Sequence, residues 1–415
     1  MPLFFMIHGV LIRLFGDPTL TGLVLMQASV VLMIAGMARL MALHAVPPVL
    51  SWAIAGITLA TSLYQQYLTS LNCDYLAAGL SLWGLVFYLD SPESPRRSAL
   101  ARGFAVLLFV LAFYTKFSTV YAPAAVFLWL VFTRQWRAAA GFGTASLVLL
   151  AAFAALFLYL SDGRMLQSLA ATATGGTDLA FAAGMVRRFA MELAVYNPAV
   201  GICFLLALAK WLADGPAQWR SPLHLAFVMV TLVTIVTFSS RGIAGNHAIP
   251  LAAISLVLAG TAVTGSRIER RGLAGGFALL SLILVACWVP GVPSPLKTIR
   301  AEAVPTVAEI KAKTDRWLPE NGRLASENPS FAIVAGVRPF VLDNFSLASF
   351  IRSGHPAGTD FLTRIRAREF DVLIGFDPDT RWTPQGGAPV VLSDHYVAVD
   401  ALGRRTILTP RTNGR

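Results

Sequence analysis

Charge is what this sequence has least of. Asp, Glu, Lys and Arg make up 13% of the 415 residues, where soluble domains average roughly 25%. Hydrophobic residues reach 56% and the mean hydropathy is +0.65, which excludes an ordinary soluble globule and points to a polytopic membrane protein. Cysteine is scarce as well. Cys73, Cys203 and Cys287 stand in or beside apolar segments without CxxC or Cys/His spacing, so they read as small core hydrophobes and exclude a disulfide framework or a zinc site. The opening MPLFFMIHGVLIRLFG lacks a basic n-region and a small-residue cleavage site, so it does not read as a signal peptide. Short repeats and low-complexity tracts are absent too.

What the sequence has is long apolar runs. Hydropathy places spans near 19–41, 47–64, 72–90, 103–115, 117–133, 139–160, 197–213, 222–239, 246–264 and 272–289, about ten in all. Several fall short of the roughly 20 residues that cross a bilayer, and 103–115 with 117–133 reads either as two spans or as one bent helix. The formal net charge of +11 does not imply nucleic acid, because the basic residues sit in short connections between spans. Arg39, then Arg96, Arg97 and Arg102, then Arg134 and Arg137, then Lys210 and Arg220, then Arg267, Arg270 and Arg271 fall in alternate connections, which assigns those to the cytoplasm. The opposite side receives residues 1–18, the 65–72 loop, the surroundings of Lys116, the connection 161–196, the loop 239–246 and everything after 290.

After residue 290 charges become frequent. TVAEIKAKTDRWL reads as an amphipathic helix, and GRLASE, RPFVLD, FDVLIGF, APVVLS, YVAVDA and RRTILT read as short strands. The expected organisation is a transmembrane domain over 1–290 and a small extramembrane α/β domain over 296–415, an open sheet with two or three helices.

Polar residues gather at the non-cytoplasmic ends of the spans. Asp74 opens the run DYLAAGLSL, where a carboxylate either serves a function or caps the helix. Lys116 interrupts LAFYTKFSTVYAP, where an ammonium either binds a phosphate or snorkels to the interface. In SSRGIAGNHAIP, Arg241, Asn246 and His247 precede another apolar run, as a site or as an ordinary turn; His247 alone makes no metal site. In the 161–196 connection, Arg187 and Arg188 lie along an amphipathic stretch and meet headgroups, or Arg188 pairs with Glu192. A carboxylate, a lysine and an Arg/Asn/His turn on one face suit the polar head of a lipid phosphate.

These stretches resemble the GT-C glycosyltransferases of the protein-mannosyltransferase and aminoarabinose-transferase type. PLFFMIHGVLIRLFG, with His8, is similar to an early stretch of that family; DYLAAGLSL, the pair Thr115–Lys116, the turn Gly242, Asn246, His247, and SENPSFAIVAGVRPFVLDNF with REFDVLIG are similar to later ones. The resemblance implies an enzyme of a bacterial inner membrane with a periplasmic C-terminal domain. It would transfer a sugar from a polyprenyl-phosphate donor to a glycolipid, polysaccharide or protein acceptor, with inversion. Partners are then membrane lipid, donor and acceptor; no cofactor is implied, and metal dependence stays open. Asp74 and Lys116 are the catalytic candidates, and Arg241, Asn246, His247 and His8 the substrate-binding ones. The family's first helix and its acidic first loop would precede Pro2, so an inactive truncated homologue is an alternative, as is a lipid-sugar transporter or flippase. Replacing Lys116 by Ala is expected to collapse transfer while sparing folding.

Overall fold

The computed structural model describes residues 2–16, 18–61, 72–90, 95–163, 165–166, 179–195, 197–240, 245–263, 307–341, 344–352, 354–384, 386–403 and 405–411. The chain divides into two compact units, one of residues 1–162 with 177–296 and one of residues 163–176 with 297–415.

The first unit is helical. Its described helices are α1 (Pro2–Phe15), α2 (Pro18–Leu43), α3 (Pro48–Gly56), α4 (Asp74–Leu89), α5 (Pro95–Thr115), α6 (Tyr121–Phe132), α7 (Trp136–Leu160), α8 (Leu179–Val195), α9 (Pro198–Gln218), α10 (Pro222–Phe238) and α11 (Ile249–Val263). Six of them begin on a proline, whose fixed φ and missing N–H suit the first helical position. Five stretches are long and apolar enough to cross a membrane: Leu20–Leu43, Arg97–Thr115, Trp136–Leu160, Pro198–Gln218 and Gly245–Ala262. The expected span at 272–289 lies outside the described residues.

One difference from the sequence reading here has a plain cause. Residues 2–15, expected as an extramembrane stretch, form a helix. At about 1.5 Å per residue its 14 residues reach only about 21 Å, so hydropathy over a bilayer-length window does not register it. The α5/α6 region is two separate helices and not one bent helix. Lys116 is extended (φ −159°, ψ 123°) and a 3-10 turn, Phe117–Val120, leads into α6. Non-helical backbone at such a place is tolerated where protein covers it, and Lys116 is only 1% exposed.

Small residues let the helices approach. A Cβ on Gly79 would lie 3.1 Å from the Met33 backbone, and one on Gly84 would lie 2.5 Å from the Phe109 ring, so α4 sits close against both α2 and α5. Arg39 near the end of α2 pairs with Asp90 just after α4, which fixes one end of this antiparallel pair. Asp74 is then at the other.

In the second unit the helices are α12 (Val307–Trp317), α13 (Pro329–Val334), α14 (Asn344–Arg352) and α15 (Pro356–Arg366). The strands β1 (Leu324–Ser326), β2 (Val372–Ile374), β5 (Tyr396–Leu402) and β6 (Arg405–Pro410) form a sheet in the order β1-β2-β6-β5; β3 (Arg381–Trp382) and β4 (Val390–Val391) form a separate ribbon. Only β1 and β2 run parallel. There are four described helices rather than two or three. The described part of RPFVLD, residues 338–341, is not a strand: Pro339 lacks a ladder donor, and Phe340 packs on Phe361 and Phe370 instead.

Candidate functional site

Three polar residues far apart in sequence meet at one end of the helical unit. The Lys116 ammonium pairs with Asp74 Oδ1, and Asn246 Nδ2 donates to Asp74 Oδ2 at 2.8 Å. Sequence separations of 42 and 172 residues are closed by these two contacts. Asp74 is 2% exposed and Lys116 1%, so carboxylate and ammonium face each other in the interior.

Local structure explains each position. Asp74 is the first residue of α4, yet its side chain caps nothing: Cys73 is the cap residue, without a side-chain cap bond. Asn72 Oδ1 accepts from the Asp74 backbone N–H at 2.8 Å instead. That arrangement frees the carboxylate for Lys116 and Asn246, and it corrects the helix-cap alternative. The snorkelling alternative for Lys116 is corrected too, because its ammonium turns inward to Asp74. Its chain break is tied down by Lys116 N–H donating to Ala112 O at 2.8 Å and by Thr119 Oγ1 donating to Lys116 O at 2.7 Å. Asn246 and His247 ride on the 3-10 turn Gly245–Ala248 that opens α11.

Close in the chain to Lys116 and Asn246, some polar atoms are left over. Among the described residues His247 Nδ1 and Ser118 Oγ are buried without a hydrogen-bond partner. Buried polar groups are nearly always paired, which makes these two atoms exceptions. His8 is buried in α1, with Nε2 3.3 Å from Thr21 Oγ1; the cluster Phe4, Leu25 and Leu76 holds α1 at the Asp74 end. Arg241 lies outside the described residues. A void just large enough for a water-sized molecule is lined by Met33, Thr58, Thr61, Tyr75, Val200 and Ile249 among others, and by none of Asp74, Lys116, Asn246 and His247. Among the described residues no group of three His, Cys, Asp or Glu is arranged to hold a metal ion.

A second polar cluster, at the opposite end of α9 and α10, escaped sequence reasoning. Asp214 accepts from Lys210 at 2.9 Å and from His224 Nε2 at 2.8 Å, and Ser221 Oγ lies 2.6 Å from His224 Nδ1. Ser221 also caps α10, accepting from the His224 N–H. With Nε2–H given to the carboxylate, Nδ1 accepts the Ser221 hydroxyl proton. Lys210 reads in sequence as a cytoplasmic loop charge, and only the break at Gly215 (φ 71°) and Pro216 brings Asp214 under His224.

Compared with known protein families, with curated proteins and with solved structures, the chain finds no match.

Proposed function

We propose that the chain is a multi-pass membrane glycosyltransferase of about ten spans, moving a sugar from a polyprenyl-phosphate donor to a glycolipid, polysaccharide or protein acceptor. It would act at the non-cytoplasmic face of a bacterial inner membrane, with its C-terminal unit in the periplasm. The observation that favours this reading most is the Asp74 carboxylate shared by Lys116 and Asn246, with His247 Nδ1, next in the chain to Asn246, unpartnered among the described residues. A cation held in a low-dielectric place stabilises charge that develops on a departing phosphate. Donors and acceptors beside it take up the phosphate or sugar oxygens. In this reading both Asp74 oxygens are already engaged, so Asp74 is a positioning residue that holds Lys116 and Asn246, and the base acting on the acceptor hydroxyl is another group.

The test is release of free polyprenyl phosphate from a panel of polyprenyl-phosphate sugars in proteoliposomes. One donor should be turned over by the wild type, and His247→Ala and Asn246→Ala should cut turnover at least tenfold while the purified protein keeps its elution profile. Turnover of no donor, or wild-type rates in both variants, would reject the reading.

A further inference from the structure

Helix α8 has two apolar faces, and among the described residues only one is covered by protein. Its inner face buries Ala182, Met185 and Leu193. Met185 packs with Phe238 and Ala248, Phe189 lies 5.7 Å from the Phe238 ring, and a Cβ on Gly201 would stand 3.2 Å from Leu193 O. These contacts lay α8 across the end of α10 and the starts of α9 and α11, the same end of the unit that holds Asp74 and Lys116.

Its outer face exposes Met191 at 57% and Val195 at 52%. At about 100° per residue, Arg187 falls on the same outward strip as Met191 and Val195. Arg188 reaches Glu192 at 3.1 Å, whereas among the described residues no acidic side chain pairs with Arg187. The helices that α8 packs against also carry exposed apolar side chains, Ile202 and Leu205 of α9 and Leu232 and Val236 of α10. In a membrane protein those side chains face lipid.

We infer that α8 is an interfacial helix that seats its outward face in the headgroup layer of an anionic phospholipid leaflet, with Arg187 against a lipid phosphate and Met191 and Val195 in the acyl boundary below. The apolar strip supplies depth and the unpaired guanidinium supplies charge complementarity. The placement also explains why Arg187 is tolerated in a connection on the side where basic residues are disfavoured: it meets phosphate, while Arg188 pairs with Glu192. Through Met185 and Ala248 the seated helix braces the turn that carries His247. The inference rests on the membrane reading of the apolar helices and not on the transferase reading.

The full chain, with its native cysteines replaced by alanine, would carry Met191→Cys labelled with an environment-sensitive dye. It would be placed in nanodiscs of phosphatidylglycerol and phosphatidylcholine. A headgroup spin-labelled lipid should quench the dye strongly and aqueous iodide weakly. Iodide quenching equal to that of free dye would mean a water-facing helix; shielding from both would mean a protein cover, such as the second unit or another copy. Either outcome overturns the inference. As a second reading independent of the label, native mass spectrometry of Arg187→Gln should find the preference for retained phosphatidylglycerol roughly fivefold weaker, and an unchanged preference would also overturn it.

Discussion

At the scale of single residues the account turns on a buried ion pair. Taking two charges out of water costs several kcal/mol per ion, and removing one partner of such a pair typically costs about 3–5 kcal/mol because the other is stranded. Asp74→Asn alone and Lys116→Met alone should each destabilise the protein by about that amount, and the double variant should recover most of the loss. Unfolding in detergent would measure this cycle; strictly additive losses would mean that the pair contributes nothing. The sequence-based expectation that Lys116→Ala spares folding is therefore corrected: it leaves the 2%-exposed Asp74 with Asn246 alone. Asn246→Ala should cost less, about 1.5–3 kcal/mol, as the loss of one hydrogen bond to a charged group. Asp74, Lys116 and Asn246 were legible because each is polar within or just before an apolar run. Their partnership was not, since 172 residues separate Asp74 from Asn246. The Asp214, His224 and Ser221 cluster was illegible for the opposite reason: charges beside a loop look ordinary.

Among the elements, length and close approach decide the outcome. The apolar runs foretold where most of the first unit's helices lie, and the prolines at Pro18, Pro48, Pro198 and Pro222 stand at their starts; α1 escaped because it is too short for a span. Glycines at helix crossings were not singled out by sequence, because their role exists only against a neighbour. Gly84→Ala should destabilise by roughly 1–3 kcal/mol by overpacking, since the added Cβ meets the buried Phe109 ring at 2.5 Å. Gly260→Ala should cost less: its nearest contact is the flexible thioether of Met41, which can turn aside. Equal melting temperatures for the two variants would contradict this packing. Ser221→Ala should cost about 1–2 kcal/mol through loss of the α10 cap, together with the His224 contact; a melt superimposable on the wild type's would show that the cap is dispensable.

For the molecule as a whole, the two units answer to different physics, and the second answers to pH. Hydrogen bonds from Lys313, from the Trp317 indole and from the Ala401 N–H hold the Asp400 carboxyl well below the usual carboxylate range. A depressed carboxyl contributes stability that is present above its unfolded value of about 4 and fades as pH falls below it. Burial keeps His395 neutral and lowers it, which adds an earlier loss as pH falls below about 6.5. Burial raises the Tyr396 phenol to about 12; a raised group stabilises below its unfolded value of about 10 and the contribution is lost as pH climbs above that. Protection from hydrogen exchange in β2 and β6, once corrected for the intrinsic rate at each pH, should therefore hold from about pH 7 to 10 and fall on both sides. A profile flat down to pH 3 would contradict this. Alternation and turn residues made β1, β2, β5 and β6 readable, whereas β3 is two residues long and has no pattern of its own.

Under the proposed function, Asp74, Lys116, Asn246 and His247 form one site for a lipid-borne phosphate. A polyprenyl phosphate bearing a photoreactive group beside its phosphate, activated in proteoliposomes and mapped by mass spectrometry, tests it directly. Saturable labelling confined to peptides covering 72–79, 112–121 and 245–253, and competed by unlabelled polyprenyl phosphate, is the predicted result. Labelling spread along the lipid-facing helices, or unaffected by competitor, would contradict the account.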